Sequence, residues 1–481
     1  MSVHGQCGLF GATLPVMSCV RLSLAVVAIG SFTGPLAVVV TTGRAGAELR
    51  GPLEMRVAAA FERIAAMDPA QHAWLALDHD RVARTAQRLD ADAGPPGLVE
   101  GMLIAVKDNL DTADLVTTAG SDRLRVRLPQ TDATAVERVR SAGGLILGKT
   151  NLDTFARGVH TVSEVGGATA NAWDSRRGPG GSSGGSAVAV ATGAADAALG
   201  SDTCGSLRYP AVYNGVFGLR PTPGLVSRVG LVPLAPTQDV VGPLARNVAD
   251  VAALLDVIAS VDPGDPLTAT APRPETPYRR TIDGPTARIG VVRSMGVFAS
   301  DRTGRTVLDV LRLSGADLVP VMLPTLPDAN VIEDEYPAAK AMFLAGPLSD
   351  GRPTWLIGPL PTRDRAGYAR RLANHHSAQR LLVELLDGRS LDAIVYPTTP
   401  YPPARRGMAQ PSANCGLAAT SGLPALAMPH GLGADGVPTV GVDLLGRPFA
   451  EARLLQIAHR YELAAGLTFP MDAIPQWRAG R

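Results

Sequence analysis

The chain predicts an α/β fold with helices layered on a sheet, and three patterns carry that expectation. Residues 97–106 rise into a short apolar run, residues 133–142 have helical periodicity, and residues 145–147 form a second apolar run, giving strand, helix, strand at α/β spacing. Isolated apolar runs at 287–292 and 391–396 read as further buried strands. Amphipathic helical patterns recur near both ends of this region, at 54–67 and 451–465.

Taken in order, residues 54–67 (EMRVAAAFERIAAM) set apolar side chains at helical spacing opposite charges, and 78–89 predict a second helix. GPPG at 94–97 is a turn, and the strand that follows it stops abruptly at Lys107-Asp108-Asn109. Thr131-Asp132 reads as an N-cap for the helix at 133–142, which Gly143-Gly144 ends. Residues 186–198, rich in Ala and Val, predict a helix behind the glycine-serine loop 178–185 (GPGGSSGG). Asn247 caps a predicted helix to 261. The 263–285 stretch is the most linker-like, but the α/β pattern resumes beyond it and no internal repeat is evident, so residues 48–481 read as one domain.

Composition excludes several functions. With 481 residues, 19% charged and a net charge of +1, the chain has no electrostatic footprint for nucleic acid or anionic membranes. Its first residues differ from the rest. Arg21 precedes an uncharged run at 22–40, and Arg44-Ala45-Gly46-Ala47 follows, which predicts a secretory signal peptide over 1–47 cleaved after Ala47. Met17 is a candidate start, and an uncleaved membrane anchor is the alternative reading. The expected location is therefore periplasmic or extracellular. Of the four cysteines, only Cys204 and Cys415 would survive cleavage; two cysteines make neither a disulfide framework nor a zinc site, and they are expected to be unpaired.

The chemistry has to come from the small-residue turns. Residues 178–185 fail as a phosphate cradle because no Gly-Lys-Ser/Thr ends them. They fit G-x-S-x-G in two overlapping frames, but polar turn formers stand where a nucleophile elbow needs a strand. A flexible surface loop is the ordinary reading of such a segment alone. Its company changes the odds: Gly200-Ser-Asp-Thr-Cys-Gly-Ser206-Leu-Arg208 is a second such turn, and Lys107 ends a buried strand. A helix of about twelve residues between the turns would span about 18 Å, so they meet only if the chain folds back. His375-His376 is not a metal pair, since adjacent helical residues diverge; both are expected at the surface.

Here the residues resemble the amidase signature family. The matching stretches are 105–109 with 117–121, 148–152, 180–186, 201–210, 215–221, 224–233, 239–246, 396–400, 420–424 and 446–448, in family order over roughly residues 55–468. The resemblance implies one domain of α/β/α layers around a large twisted mixed sheet. It puts the nucleophile on Ser206, the bridging serine after a cis peptide bond on Ser182, and the lysine on Lys107. Ser183, Asp202 and Arg208 fall on supporting positions, and the N–H groups of Thr203, Cys204, Gly205 and Ser206 on the oxyanion hole. No metal or cofactor is implied. The family usually has Gly where this chain has Cys204, so a Cys there is strained if the position needs φ > 0, and otherwise lines the pocket.

Such a relay makes physical demands. Lysine acts as a base only when neutral, and at its reference pKa about one molecule in 2,500 is neutral at pH 7, a handicap near 4.6 kcal/mol. Burial among hydroxyls lowers that barrier. The implied activity is hydrolysis of a small-molecule or peptide carboxamide through an acyl-enzyme, with 224–228 and 243–246 most similar to bacterial peptide amidases. The rival readings are an amidotransferase subunit like the glutaminase part of the tRNA-dependent enzyme, which has Gln at the position of Tyr209, and a non-catalytic binder on the same fold. Substrate and oligomeric state are not legible.

Overall fold

A computed structural model of the chain describes residues 52–92, 96–345 and 360–466. The expected signal segment, residues 1–47, lies outside the described residues. The elements described below all belong to one compact unit, Arg50–Arg481.

Helix α1 (Leu53–Gln71) buries Val57, Ala60 and Ile64, the stripe its periodicity marks. Strand β1 (Trp74–Leu77) leads to α2 (His79–Ala91), whose N-cap Asp78 accepts the Arg81 N–H at 3.0 Å. Then come β2 (Leu103–Lys107), α3 (Thr134–Ser141) and β3 (Leu145–Thr150), the expected strand, helix and strand. The cap of α3 is a correction. It starts at Ala133 with no side-chain cap, because Asp132 instead accepts the Ala113 N–H at 2.8 Å and pairs with Arg140 at 2.9 Å.

A small hairpin, β4 (Val162–Ser163) with β5 (Gly167–Ala168), precedes α4 (Gly184–Ala191) and β6 (Ala197–Asp202). Alanine's helix propensity predicts a helix to residue 198, but α4 ends at Ala191. Gly193 instead turns left-handed at φ +70°, and residues 197–202 join the sheet, where tertiary pairing outweighs local preference. That strand is the fold-back the two turns required.

The remaining strands are β7 (Phe217–Arg220), β8 (Val240–Ala245), β9 (Arg288–Val292), β10 (Asp317–Val321), β11 (Ala393–Pro397), β12 (Ala425–Met428) and β13 (Val442–Leu445). The helices among and after them are α5 (Arg208–Asn214), α6 (Val248–Ile258), α7 (Val307–Leu313), α8 (Ile332–Ala345), α9 (Arg365–Gly388), α10 (Gly416–Ser421) and α11 (Glu451–Ala465). Among the described residues, eleven strands make one mixed sheet in the order β1-β3-β2-β6-β8-β7-β12-β13-β11-β9-β10. β2 runs parallel to both β3 and β6, while β6 pairs antiparallel with β8.

Strand alternation sorts the core into two faces. Ile104 and Val106 of β2 join one cluster with Val139 of α3, Leu255 of α6, Leu311 of α7 and Leu454 of α11. Leu103 and Ala105 join the other, with Val57 of α1, Val82 of α2, Val188 of α4 and Val212 of α5. A third cluster packs Leu382 of α9 and Leu417 of α10 on Ile394 of β11. The result is the α/β/α layering expected, with Lys107 continuing the Leu103–Ala105 row toward α4 at the carboxyl end of β2. That end of parallel strands is where α/β sheets present ligand sites.

Candidate active site

Lys107 is completely buried, yet its Nζ faces hydroxyls rather than acids. It donates to Ser182 Oγ at 2.7 Å, to Ser201 Oγ at 2.8 Å and to the Ser201 carbonyl at 3.3 Å. Asn109 Nδ2 donates to the same Ser201 Oγ at 3.0 Å. Asp108, next in sequence, turns away to pair with buried Lys149 at 3.1 Å and to accept the Thr118 hydroxyl. Burial lowers the Lys107 pKa to about 7, against the pull of Asp153, Asp202 and Asp239, so that about half the amines are neutral at pH 7.

Ser182 is delivered by a backbone threaded through close quarters. The Gly181–Ser182 peptide is cis. A Cβ on Gly181 would lie 2.4 Å from Asp153 Oδ2 and 2.6 Å from the His160 backbone nitrogen. Thr161 Oγ1 donates to the Gly180 carbonyl at 2.7 Å and accepts the Gly184 N–H at 3.0 Å. Asp153 holds the Thr161 N–H at 2.9 Å, so it supports this loop through its neighbour.

The second turn is organised by Asp202, fully buried at the end of β6. It accepts N–H groups from Gly205 at 2.8 Å and Leu207 at 3.1 Å, and meets Arg208 Nε and Arg220 Nη1, each at 3.1 Å. Burial pushes its carboxyl pKa up, but Arg208 and Arg220 outweigh that and hold it well below the usual carboxylate range. Arg208 is a scaffold partner, as expected, and also binds Asp443 at 2.6 Å. The Ser183 N–H donates to the Ser206 carbonyl at 3.1 Å, and Ser183 Oγ donates to the Ser201 carbonyl at 3.1 Å, so the two turns are stitched together. Lys107, Ser182, Ser183, Asp202, Ser206 and Arg208, scattered over a hundred residues, thus form one cluster. The Ser206 hydroxyl makes no hydrogen bond among the described residues, and its link to Ser182 is this backbone adjacency.

Two expectations for the oxyanion loop need correction. Cys204 and Cys415 are not free thiols: they form a disulfide, with an S–S distance of 2.10 Å across 211 residues of sequence. Nothing local marks such a pair; only the sheet order brings their Cα atoms to 5.0 Å. Gly205 is the second. Its N–H is spent on Asp202, which leaves the N–H groups of Thr203, Cys204 and Ser206 for a carbonyl oxygen. The positive φ in this loop belongs to Gly205, at +87°, and not to Cys204, so the cysteine is unstrained.

Sequence reasoning assigned no role to Ser201, Asn109, Asp153, Thr161 or Arg220. Ser201, Asn109 and Arg220 stand inside the motif stretches, but buried polar partnership has no local signature. Of the two helix-α9 histidines, His376 is exposed, whereas His375 is half-buried and burial lowers its pKa to about 4.

Comparison with known proteins gives the family. The Amidase family model matches residues 56–352. The chain is 37% identical to the A subunit of the glutamyl-tRNA(Gln) amidotransferase of Prochlorococcus marinus (strain MIT 9313), over 84% of this chain and 92% of that protein. It superposes on the native peptide amidase of Stenotrophomonas maltophilia with TM-score 0.72 and 30% identity, covering 86% of this chain and 94% of that one. Against the A subunit of the Thermotoga maritima glutamyl-tRNA(Gln) amidotransferase the TM-score is 0.70 at 29% identity, with coverages of 85% and 91%. The fold and cluster define an amidase-type hydrolase. The chain belongs to the amidase signature family.

Proposed function

We propose that the protein hydrolyses a carboxamide C–N bond through an acyl-enzyme on Ser206, with Ser182 and Lys107 as its proton relay. The observation that carries this is the 2.7 Å contact from Lys107 Nζ to Ser182 Oγ, made by an amine that burial holds at a pKa of about 7. Neutral Lys107 takes the Ser182 proton as Ser182 takes that of Ser206, whose oxygen attacks the carbonyl carbon. The oxyanion that forms is met by the N–H groups of Thr203, Cys204 and Ser206, each donor worth about 3 kcal/mol. The relayed proton returns to the leaving nitrogen, the C–N bond breaks, and water releases the acid by the reverse path. The relay requires the Ser206 hydroxyl to reach Ser182 once substrate is bound, the stage at which catalytic hydrogen bonds often tighten.

The test is labelling with a fluorophosphonate probe together with ammonia release from a panel of primary amides and amidated peptides. Labelling and turnover should both vanish in Ser206→Ala and survive each His→Ala change. A single essential histidine would replace the relay with a different triad, and no labelling would favour a binder.

The amidotransferase reading has one observation in its favour, the 37% identity to the A subunits of such enzymes. Tyr209 weighs against it: its hydroxyl is tied to the Ala413 backbone, where the resemblance gives those subunits Gln. Co-purification of partner subunits, and glutaminase activity that needs them, would decide for it. An exported, oxidising setting is part of the proposal. The apolar N-terminal run and the disulfide support it, since disulfides persist outside reducing compartments. Cell fractionation with N-terminal sequencing of the product tests it.

A further inference from the structure

The loop from Thr203 to Leu207 is anchored residue by residue. The Thr203 hydroxyl is held by Asp239, the Gly205 and Leu207 N–H groups by Asp202, and the Ser206 carbonyl by the Ser183 N–H. Cys204 is different: among the described residues, its tie is the bond to Cys415. The far side of that bond is rigid. Arg208 Nη2 donates to the Cys415 carbonyl at 3.2 Å, and Asn414 Nδ2 donates to the Pro397 and Met295 carbonyls, each at 2.8 Å. Tyr209 brackets Ala413, donating to its carbonyl and accepting its N–H at 3.1 Å. The disulfide therefore lends the stiffness of the 413–415 segment to the one loop residue that lacks a polar anchor. Both cysteines are only partly buried, whereas Ser206 is 5% exposed.

We infer that the Cys204–Cys415 disulfide is a positioning device for the oxyanion loop, and that the oxidised protein is the fully active form. The inference rests on the reading of Ser206 as nucleophile. Its logic is that the Cys204 N–H is useful only if already aimed when charge develops on the carbonyl oxygen. A loop free to move at that residue still binds the amide, but stabilises the transition state less, so the loss belongs to kcat rather than to KM. Cleavage by a phosphine is balanced: the S–S bond breaks, the two sulfurs take protons from water as thiols, and the phosphine takes the oxygen and is oxidised. Partial exposure lets such a reagent reach the bond.

The experiment uses the full chain and a turned-over primary amide. Wild type is treated with tris(2-carboxyethyl)phosphine, and alkylation at Cys204 and Cys415 is followed by peptide mass mapping. As the two sites become alkylatable, kcat should fall about tenfold with KM changing less than twofold, and oxidised glutathione added after the phosphine is removed and before alkylation should restore it. The Cys204→Ser/Cys415→Ser protein should show the reduced wild-type kcat and no response to phosphine. A reduced protein that melts earlier but keeps its kcat would make the bond a structural staple and overturn the inference. If the double variant does not fold, the reduction and reoxidation of wild type still decide. Failure of the underlying reading is separate, because Ser206→Ala would then retain turnover whatever the redox state.

Discussion

Lys107 Nζ sits 2.7 Å from Ser182 Oγ with no carboxylate in hydrogen-bond contact among the described residues, so burial can draw the amine toward neutrality without an ion pair that would lock it as an ammonium. The nearest rival arrangement stands one residue away. Lys149, equally buried, is paired with Asp108 at 3.1 Å and is held as a structural ion pair. Burial lowers the pKa of both lysines, and the two differ in that Lys149 has a carboxylate beside it whereas Lys107 has hydroxyls.

The pH dependence follows from that contact. The relay needs neutral Lys107, and the neutral fraction rises with pH through a pKa of about 7. Activity should therefore climb about tenfold per pH unit below that value and level off above it. Lys107→Ala should lose at least about a hundredfold in kcat and this limb with it. A pH–rate profile from 5 to 9 on both proteins checks this, and a wild-type profile flat across pH 7 would contradict it.

Gly205→Ala should cost about 1–2 kcal/mol, since the backbone is left-handed there at φ +87°. The new Cβ would also fall 2.7 Å from the Tyr209 ring, which cannot swing away while its hydroxyl holds Ala413. Turnover should drop with stability, and paired denaturant melts and kcat measurements read both.

Gly181→Ala should be worse for catalysis than for folding. Its Cβ would meet Asp153 Oδ2 and the His160 backbone, displacing the peptide that carries Ser182. A misplacement of about 1 Å can cost about a hundredfold in rate. Gly388→Ala is the contrast: nothing lies within 4 Å of that Cβ, at the end of α9, so kcat should be unchanged. Equal rates for the two variants would contradict the role given to the 180–183 loop.

Asp202→Asn should destabilise the protein by about 3 kcal/mol or more, because it leaves buried Arg208 and Arg220 short of a counter-charge. The sign with pH is fixed: the folded-state pKa is depressed, so this stabilisation is present above the unfolded carboxylate range and is lost on acidification through it. Denaturant midpoints between pH 3 and 7 should fall more steeply for wild type than for the variant.

Much of this was legible from local pattern. The final helix matches its predicted span, residues 451–465, because its apolar stripe and flanking residues are local signals. Lys107, Ser182 and Ser206 were found through motif order, and strand alternation alone sends Lys107 toward the α4 face. The extent of α4 is not legible in the same way, because alanine propensity is a weak term beside the sheet partners that claim residues 197–202.

The chain alone determined the α/β class and the helix and strand periods, since these are written in nearest-neighbour chemistry, and its ordered motifs carried the family resemblance that implies Lys107, Ser182 and Ser206. Only the tertiary structure decided that Gly205 gives its N–H to Asp202, that Ser201 shares Lys107, and that Cys204 meets Cys415 from 211 residues away. The last two are contacts between distant segments, whose partners are chosen by which strands lie side by side, and the first depends on the turn geometry that only the folded loop fixes.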